Sequence, residues 1–156
     1  MSKLAHAQNY RDLIVYRKAR TLASDIFELT KTFPKEEQFS LTDQIRRSSR
    51  SVGAQIAEAW GKRRYERHFI SKLTDADGEQ LETQHWLGIA YDCGYIDRAV
   101  GQTFMTQCQE IGRMLGGMIS KSGMFCRPEK LTTFKEPGPV YYTASDFSDF
   151  FITPSD

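Results

Sequence analysis

The side chains best equipped for chemistry crowd one segment: Asp75, Asp77, Glu79 and Glu82, followed by His85. Glu82 and His85 have the i, i+3 spacing that supplies half of a di-iron centre in ferritin-like bundles. The other half needs a second Glu-x-x-His, and neither His6 nor His68 provides one. Asp75-Ala-Asp77-Gly78 opens like a calcium loop, but its glycine comes two positions early and a helical pattern runs through it. No metal and no other cofactor is expected. Catalytic signatures are missing as well: the chain has no glycine-rich phosphate loop, no Gly-x-Ser-x-Gly, no His-Glu-x-x-His and no cysteine beside a local base. Cys93, Cys108 and Cys126 are an odd number at no metal-like spacing, which fits unpaired structural thiols. The expectation is a non-enzymatic protein with no catalytic residues.

Cations are the other concentration. Between Gln44 and Lys72 eight Lys and Arg face two Glu, a local excess of +6 in a chain whose net charge is only +1. That balance excludes a globally basic nucleic-acid binder and leaves room for a local patch. Lys62, Arg63 and Arg64, with Arg67, are the candidate nucleic-acid-binding residues, because guanidinium forks match phosphate oxygens. The competing reading is a solubilising turn. At about 100° per residue on a helix, Arg46, Arg50, Ala54 and Ala57 fall opposite the core residues Ile45, Val52 and Ile56. Small residues flanked by arginine suit a subunit interface with a charged rim; a plain solvated face and a phosphate groove are the alternatives. Trp60 and Trp86, at helical spacing, read as core or interface aromatics.

Positioning these side chains requires helices. Val15, Ala19, Leu22, Ile26, Leu29 and Phe33 recur at steps of three and four, predicting a helix that Pro34 ends. Leu41, Ile45, Val52, Ile56 and Ala59 predict a second, with Ser40 or Thr42 as its cap. After the turn Gly61–Arg64, a third stripe runs through Phe69, Leu73, Ala76, Gln80, Thr83, Leu87 and Ala90, with polar residues in its middle. Gly94 ends that helix, Asp97 caps the next, and Phe104, Cys108, Ile111, Leu115 and Met118 form the fourth stripe. With short connections and no strand alternation, the fold class is all-α: an up-down antiparallel four-helix bundle over residues 1–123. At 156 residues a second full domain is excluded.

Residues 124–156 differ. Pro128, Pro137, Pro139 and Pro154 interrupt any helical period, yet seven of the chain's nineteen aromatics lie between Phe125 and Phe151. Disordered tails are poor in aromatics, so an extended non-helical tail is expected. Tyr141, Tyr142, Phe147, Phe150 and Phe151 would dock on the bundle, on a neighbouring copy or on a protein partner.

In combination the blocks Tyr10-Arg-Asp-Leu-Ile-Val-Tyr-Arg-Lys-Ala, Phe33-Pro-Lys-Glu-Glu, Gln44-Ile-Arg-Arg47, Ser51-Val-Gly-Ala-Gln-Ile-Ala-Glu58 and Cys93-Gly-Tyr-Ile96 resemble the 23S rRNA intervening-sequence proteins, relatives of the accessory variability determinants of diversity-generating retroelements. The resemblance covers about residues 10–121. It implies a four-helix bundle, a homopentamer and, for some members, binding of RNA or DNA through a positive surface. Gln55 stands where the family usually has Asn, and the aromatic tail lies outside the pattern. Glu58 and Glu82 match acidic family positions and are expected to pair with Arg46 or Arg47, inside or between subunits. The functional expectation is an oligomer that binds nucleic acid or a nucleic-acid-processing partner; the alternative is a multimeric adaptor acting through its tail. The chain start has no apolar signal core, and no stretch approaches the roughly 18 apolar residues of a membrane helix. A cytoplasmic protein without membrane contact is expected.

Overall fold

The computed structural model describes residues 7–126. Four helices, α1 (Ile14–Thr30), α2 (Leu41–Gly61), α3 (Glu66–Asp92) and α4 (Arg98–Ser120), are joined by short turns, with no strand among the described residues. Each packs on its neighbours in chain order and α4 returns to α1, closing the bundle. Short links between packed neighbours make successive helices antiparallel. The starts of α1 and α3 and the ends of α2 and α4 therefore share one end of the bundle. No helix among the described residues is long and apolar enough to cross a membrane.

The buried set follows the predicted stripes. On α3 the seven buried residues are Phe69, Leu73, Ala76, Gln80, Thr83, Leu87 and Ala90, and on α4 they are Phe104, Cys108, Ile111, Leu115 and Met118. Gln80 and Thr83 belong to the core because partners are supplied there, since an unpaired buried polar group is costly. The hydroxyls of Ser48 and Thr83 lie 2.9 Å apart across the α2–α3 contact. Gln80 donates its amide to Asp77 at 2.9 Å and accepts from Gln84 at 2.7 Å.

Two boundaries differ from the sequence expectation. Helix α1 stops at Thr30, three residues before Phe33. Lys31, Thr32 and Phe33 make i to i−3 backbone bonds, and the Thr30 and Thr32 hydroxyls donate to the carbonyls of Phe27 and Leu29, so the last turn tightens before Pro34. Phe33 is still buried, its ring 5.5 Å from that of Tyr95. Helix α2 is not capped by the side chain of Ser40 or Thr42. Thr42 is buried within the helix, and Ser40 donates its hydroxyl to Glu37 at 2.6 Å. Glu37 is the cap: one carboxylate oxygen also accepts the Leu41 N–H at 3.1 Å, and the other accepts the Tyr95 hydroxyl at 3.0 Å. Gly94 takes φ 75°, the left-handed conformation that closes α3 without a Cβ penalty, and the Asp97 carboxylate accepts the Val100 N–H.

Packing on the bundle continues past Gly123. A 3₁₀ turn spans Ser122–Met124, buried Ser122 donates to Glu66, and the Phe125 ring stacks 5.9 Å from Phe69. Tyr141, Tyr142, Phe147, Phe150 and Phe151 lie outside the described residues. All three cysteines are free: Cys93 is exposed, Cys126 half-buried, and burial pushes the Cys108 thiol up to about 12.

Candidate nucleic-acid interface

The α2–α3 turn is built from the failing end of α2. The Lys62 N–H bonds back to both Glu58 and Ala59, and Tyr65 N–H to Lys62, so the chain reverses within Lys62–Tyr65. Arg63 folds back over the helix end. Its guanidinium carbon sits 3.4 Å from the Trp60 ring centroid and its Nε donates to the Trp60 carbonyl at 2.8 Å. A cation on exposed C-terminal carbonyls also meets the negative end of the helix dipole. Arg64 lies 5.6 Å from the Tyr65 ring, which is 53% exposed and 5.5 Å from the His68 ring. Lys62 and Arg67 are exposed and make no ion pair among the described residues. Tyr65 was not legible as a site residue. Its signal was an aromatic directly after a cation run, a combination that nucleic-acid platforms use for base stacking.

The bundle topology adds cations from elsewhere. Arg11 and Arg17 near the start of α1 and Lys121 at the end of α4 share the end that holds the turn, against Asp12, Glu58 and Glu66. In the turns of the opposite end Lys31, Lys35 and Arg98 offset most of the charge of Glu36, Glu37, Asp92 and Asp97. The excess of positive charge is thus gathered at the turn end while the opposite end is close to neutral, an asymmetry hidden in the near-zero net charge.

Other predicted residues go elsewhere. Arg50, Ala54 and Ala57 line a groove of about 510 Å³ between α1 and α2. Arg46 closes over Phe27 at 4.7 Å, donates from Nε to the Thr30 hydroxyl at 2.7 Å, and is joined by Arg50 at 5.7 Å from the same ring. Arg50 precedes Lys62 by twelve helical positions, about 18 Å, so the +6 stretch divides into two separate sites. Within one chain, the expected pairing of Glu58 and Glu82 with Arg46 or Arg47 is corrected by these contacts. Glu58 bonds Lys72 at 2.8 Å, Glu82 accepts the Trp86 indole N–H at 3.1 Å, and Arg47 reaches Asp43 at 3.8 Å. Pairing follows the α2–α3 contact, which brings Lys72 beside Glu58. The bond from Lys72 holds the Glu58 carboxyl below its ordinary range.

On α3, desolvation raises Glu79, with Glu82 and Asp75 adding repulsion. Among the described residues no three His, Cys, Asp or Glu come together as a metal site.

A closed, up-down four-helix bundle with one basic end defines the class of protein. The chain belongs to the 23S rRNA-intervening sequence protein family, whose model matches residues 11–117. It is similar to a crystal structure from Bacteroides thetaiotaomicron described as a protein of unknown function from the S23 ribosomal protein family. The TM-score is 0.63 at 32% identity, over 69% of this chain and 96% of that one. No curated protein matches the chain.

Proposed function

We propose that the protein is a non-enzymatic nucleic-acid binder that holds RNA or DNA at the basic end of its bundle. The observation that carries this reading is the turn itself. Trp60 pre-positions Arg63, while exposed Tyr65 stands among Arg64, His68 and Arg67. Cations there would neutralise phosphates, and Tyr65 offers a face on which an unpaired base can stack, worth about 1–3 kcal/mol per base. Such contacts carry little sequence information. Assembly into the ring that the sequence resemblance implies would repeat the basic end around an axis and strengthen it through multivalency.

Fluorescence anisotropy with single-stranded and duplex RNA across a salt series tests the reading. Four phosphate contacts give a slope of about −3 in log affinity against log salt on single strands. Arg63→Glu with Arg64→Glu should weaken all sequences alike, and Tyr65→Ala should weaken single strands more than duplex. Absence of binding at low salt, or a sequence preference that survives both variants, overturns it. An adaptor role is the second reading, favoured by the seven aromatics from Phe125 onward. Partner capture through those rings would change little with salt.

A further inference from the structure

The outer groove between α1 and α2 has a chemistry of its own. Tyr10 and Tyr16, edge to face at 4.9 Å, stand at one end and Phe27 at the other. Arg20 and Arg50 contribute to its lining and no carboxylate does. Residues 141–151, Tyr-Tyr-Thr-Ala-Ser-Asp-Phe-Ser-Asp-Phe-Phe, are complementary: five rings interleaved with Asp146 and Asp149, and no cation. The family match stops at residue 117, so this segment is an addition to the shared bundle.

Reach is sufficient. Ser122–Cys126 pack at the start of α3, the end of the bundle where α1 begins and α2 finishes, and the Tyr10–Tyr16 end of the groove opens there. Residues 127–140 span up to about 46 Å when extended, against roughly 10 Å between adjacent helix axes. From Tyr16 to Phe27 the groove follows eleven helical positions, about 17 Å, which the six residues 146–151 cover when extended, leaving 141–145 to run in along its Tyr10 end.

We propose that residues 141–151 dock in the α1–α2 groove of their own chain. The rings pack against Tyr16, Ala54 and Phe27, and Asp146 and Asp149 face Arg20 and Arg50. This assignment is independent of the nucleic-acid reading, which rests on the α2–α3 turn.

Chymotrypsin, which cuts after aromatic residues, tests it on the full chain, with cleavage in 141–151 followed by mass spectrometry. Docking predicts cutting at least about tenfold slower than in a synthetic peptide of residues 136–156, because proteolysis tracks the open population. That protection should not change with protein dilution. Ala54→Trp, which fills the groove, and Arg50→Asp, which reverses its charge, should each restore most of the peptide rate with helical content unchanged. Arg20→Asp and Arg50→Asp combined with Asp146→Arg and Asp149→Arg should recover protection. If Ala54→Trp does not fold, the charge swap decides alone. Wild-type cutting at the peptide rate, or protection indifferent to the groove variants, overturns the proposal. So does a groove variant that lowers particle mass in light scattering, or abolishes RNA binding, while tail cutting stays as in wild type. The first result would give the groove to a second copy, the second to nucleic acid.

Discussion

Arg63 sits 3.4 Å from the centroid of the Trp60 ring while its Nε donates to the Trp60 carbonyl, so one residue fixes both the face and the edge of the guanidinium. A side chain held this way loses less rotamer freedom on meeting phosphate than a free one. Trp60→Leu keeps every charge and removes the ring. RNA affinity should fall by about three- to tenfold, the scale of a partly exposed cation–π contact, with the salt slope unchanged. Arg63→Ala should instead lower the slope by about one phosphate contact. Anisotropy across a salt series separates the two; equal slope changes in both variants would mean that the ring does not organise the cation.

Gly112 of α4 lies against the buried amide of Gln80: a Cβ there would stand 2.8 Å from Nε2 and 3.3 Å from the Asp77 carboxylate. Replacing a helical glycine by alanine ordinarily gains about 0.5–1 kcal/mol. Here the methyl must displace an amide bonded to Asp77, at a cost of about 1–3 kcal/mol for a buried polar group. Gly112→Ala should therefore be destabilising in wild type and stabilising in a Gln80→Ala background. Urea unfolding of the four proteins should give a coupling of at least about 1 kcal/mol; additivity would contradict the close contact.

Ser48 and Thr83 are expected to behave as a unit. Thr83 also donates to the Glu79 carbonyl at 2.9 Å and Ser48 has the Ile45 carbonyl at 3.3 Å. Ser48→Ala or Thr83→Val alone therefore removes the cross-helix bond but leaves the other hydroxyl a backbone acceptor, and should cost about 1 kcal/mol. The double variant presents two apolar groups to each other and should cost less than the sum of the singles. A fully additive double-mutant cycle would show that the 2.9 Å contact contributes nothing of its own.

The Glu37–Tyr95 bond makes stability depend on pH at both extremes. Hydrogen bonds from Ser40, the Leu41 N–H and Tyr95 hold the Glu37 carboxyl below its ordinary range. Its stabilisation is therefore present above the unfolded value near 4.5 and fades as pH falls through the folded one. The urea-midpoint advantage of wild type over Glu37→Gln should be full at pH 7 and close under acid conditions. Tyr95 moves the other way, raised to about 12 chiefly by its bond to Glu37, so its contribution holds below 10 and is lost as pH rises through about 12. Absorbance titration of the phenols should show a last-titrating tyrosine that disappears in Tyr95→Phe and moves down in Glu37→Gln. Titration of every tyrosine near 10 would contradict the bond.

What could be read before the structure was what repeats locally. The α3 stripe was legible, polar members included, because steps of three and four put Gln80 and Thr83 on the same face as Phe69 and Leu87. Gly94 and Asp97 were legible because their conformations answer to neighbours a few residues away. The Glu37 cap was not: its bonds to Ser40 and the Leu41 N–H are local, but Tyr95, which fixes the carboxylate's other oxygen, is 58 positions distant. Lys72 as the partner of Glu58 was hidden for the same reason: it depends on how α3 lies along α2. At the candidate site, the cations could be sorted between the turn and the outer face of α2, but the rings that hold them could not be named. Phe27 for Arg46 and Arg50, and Trp60 for Arg63, depend on which side chains the packed helices bring within reach.

The three thiols give the molecule a built-in address for a reporter. Burial keeps Cys108 protonated far above neutral pH, and burial beside Glu66 also raises Cys126, whereas Cys93 stands open at the far end of α3. A maleimide dye at neutral pH should therefore go first to Cys93. The 27 residues of α3 separate that dye from Tyr65 by about 40 Å, a separation that suits energy transfer to a fluorophore on an RNA added to test the proposed binding. The native chain thus carries its own molecular ruler, fixed at the end of α3 and pointing along the bundle toward the basic turn.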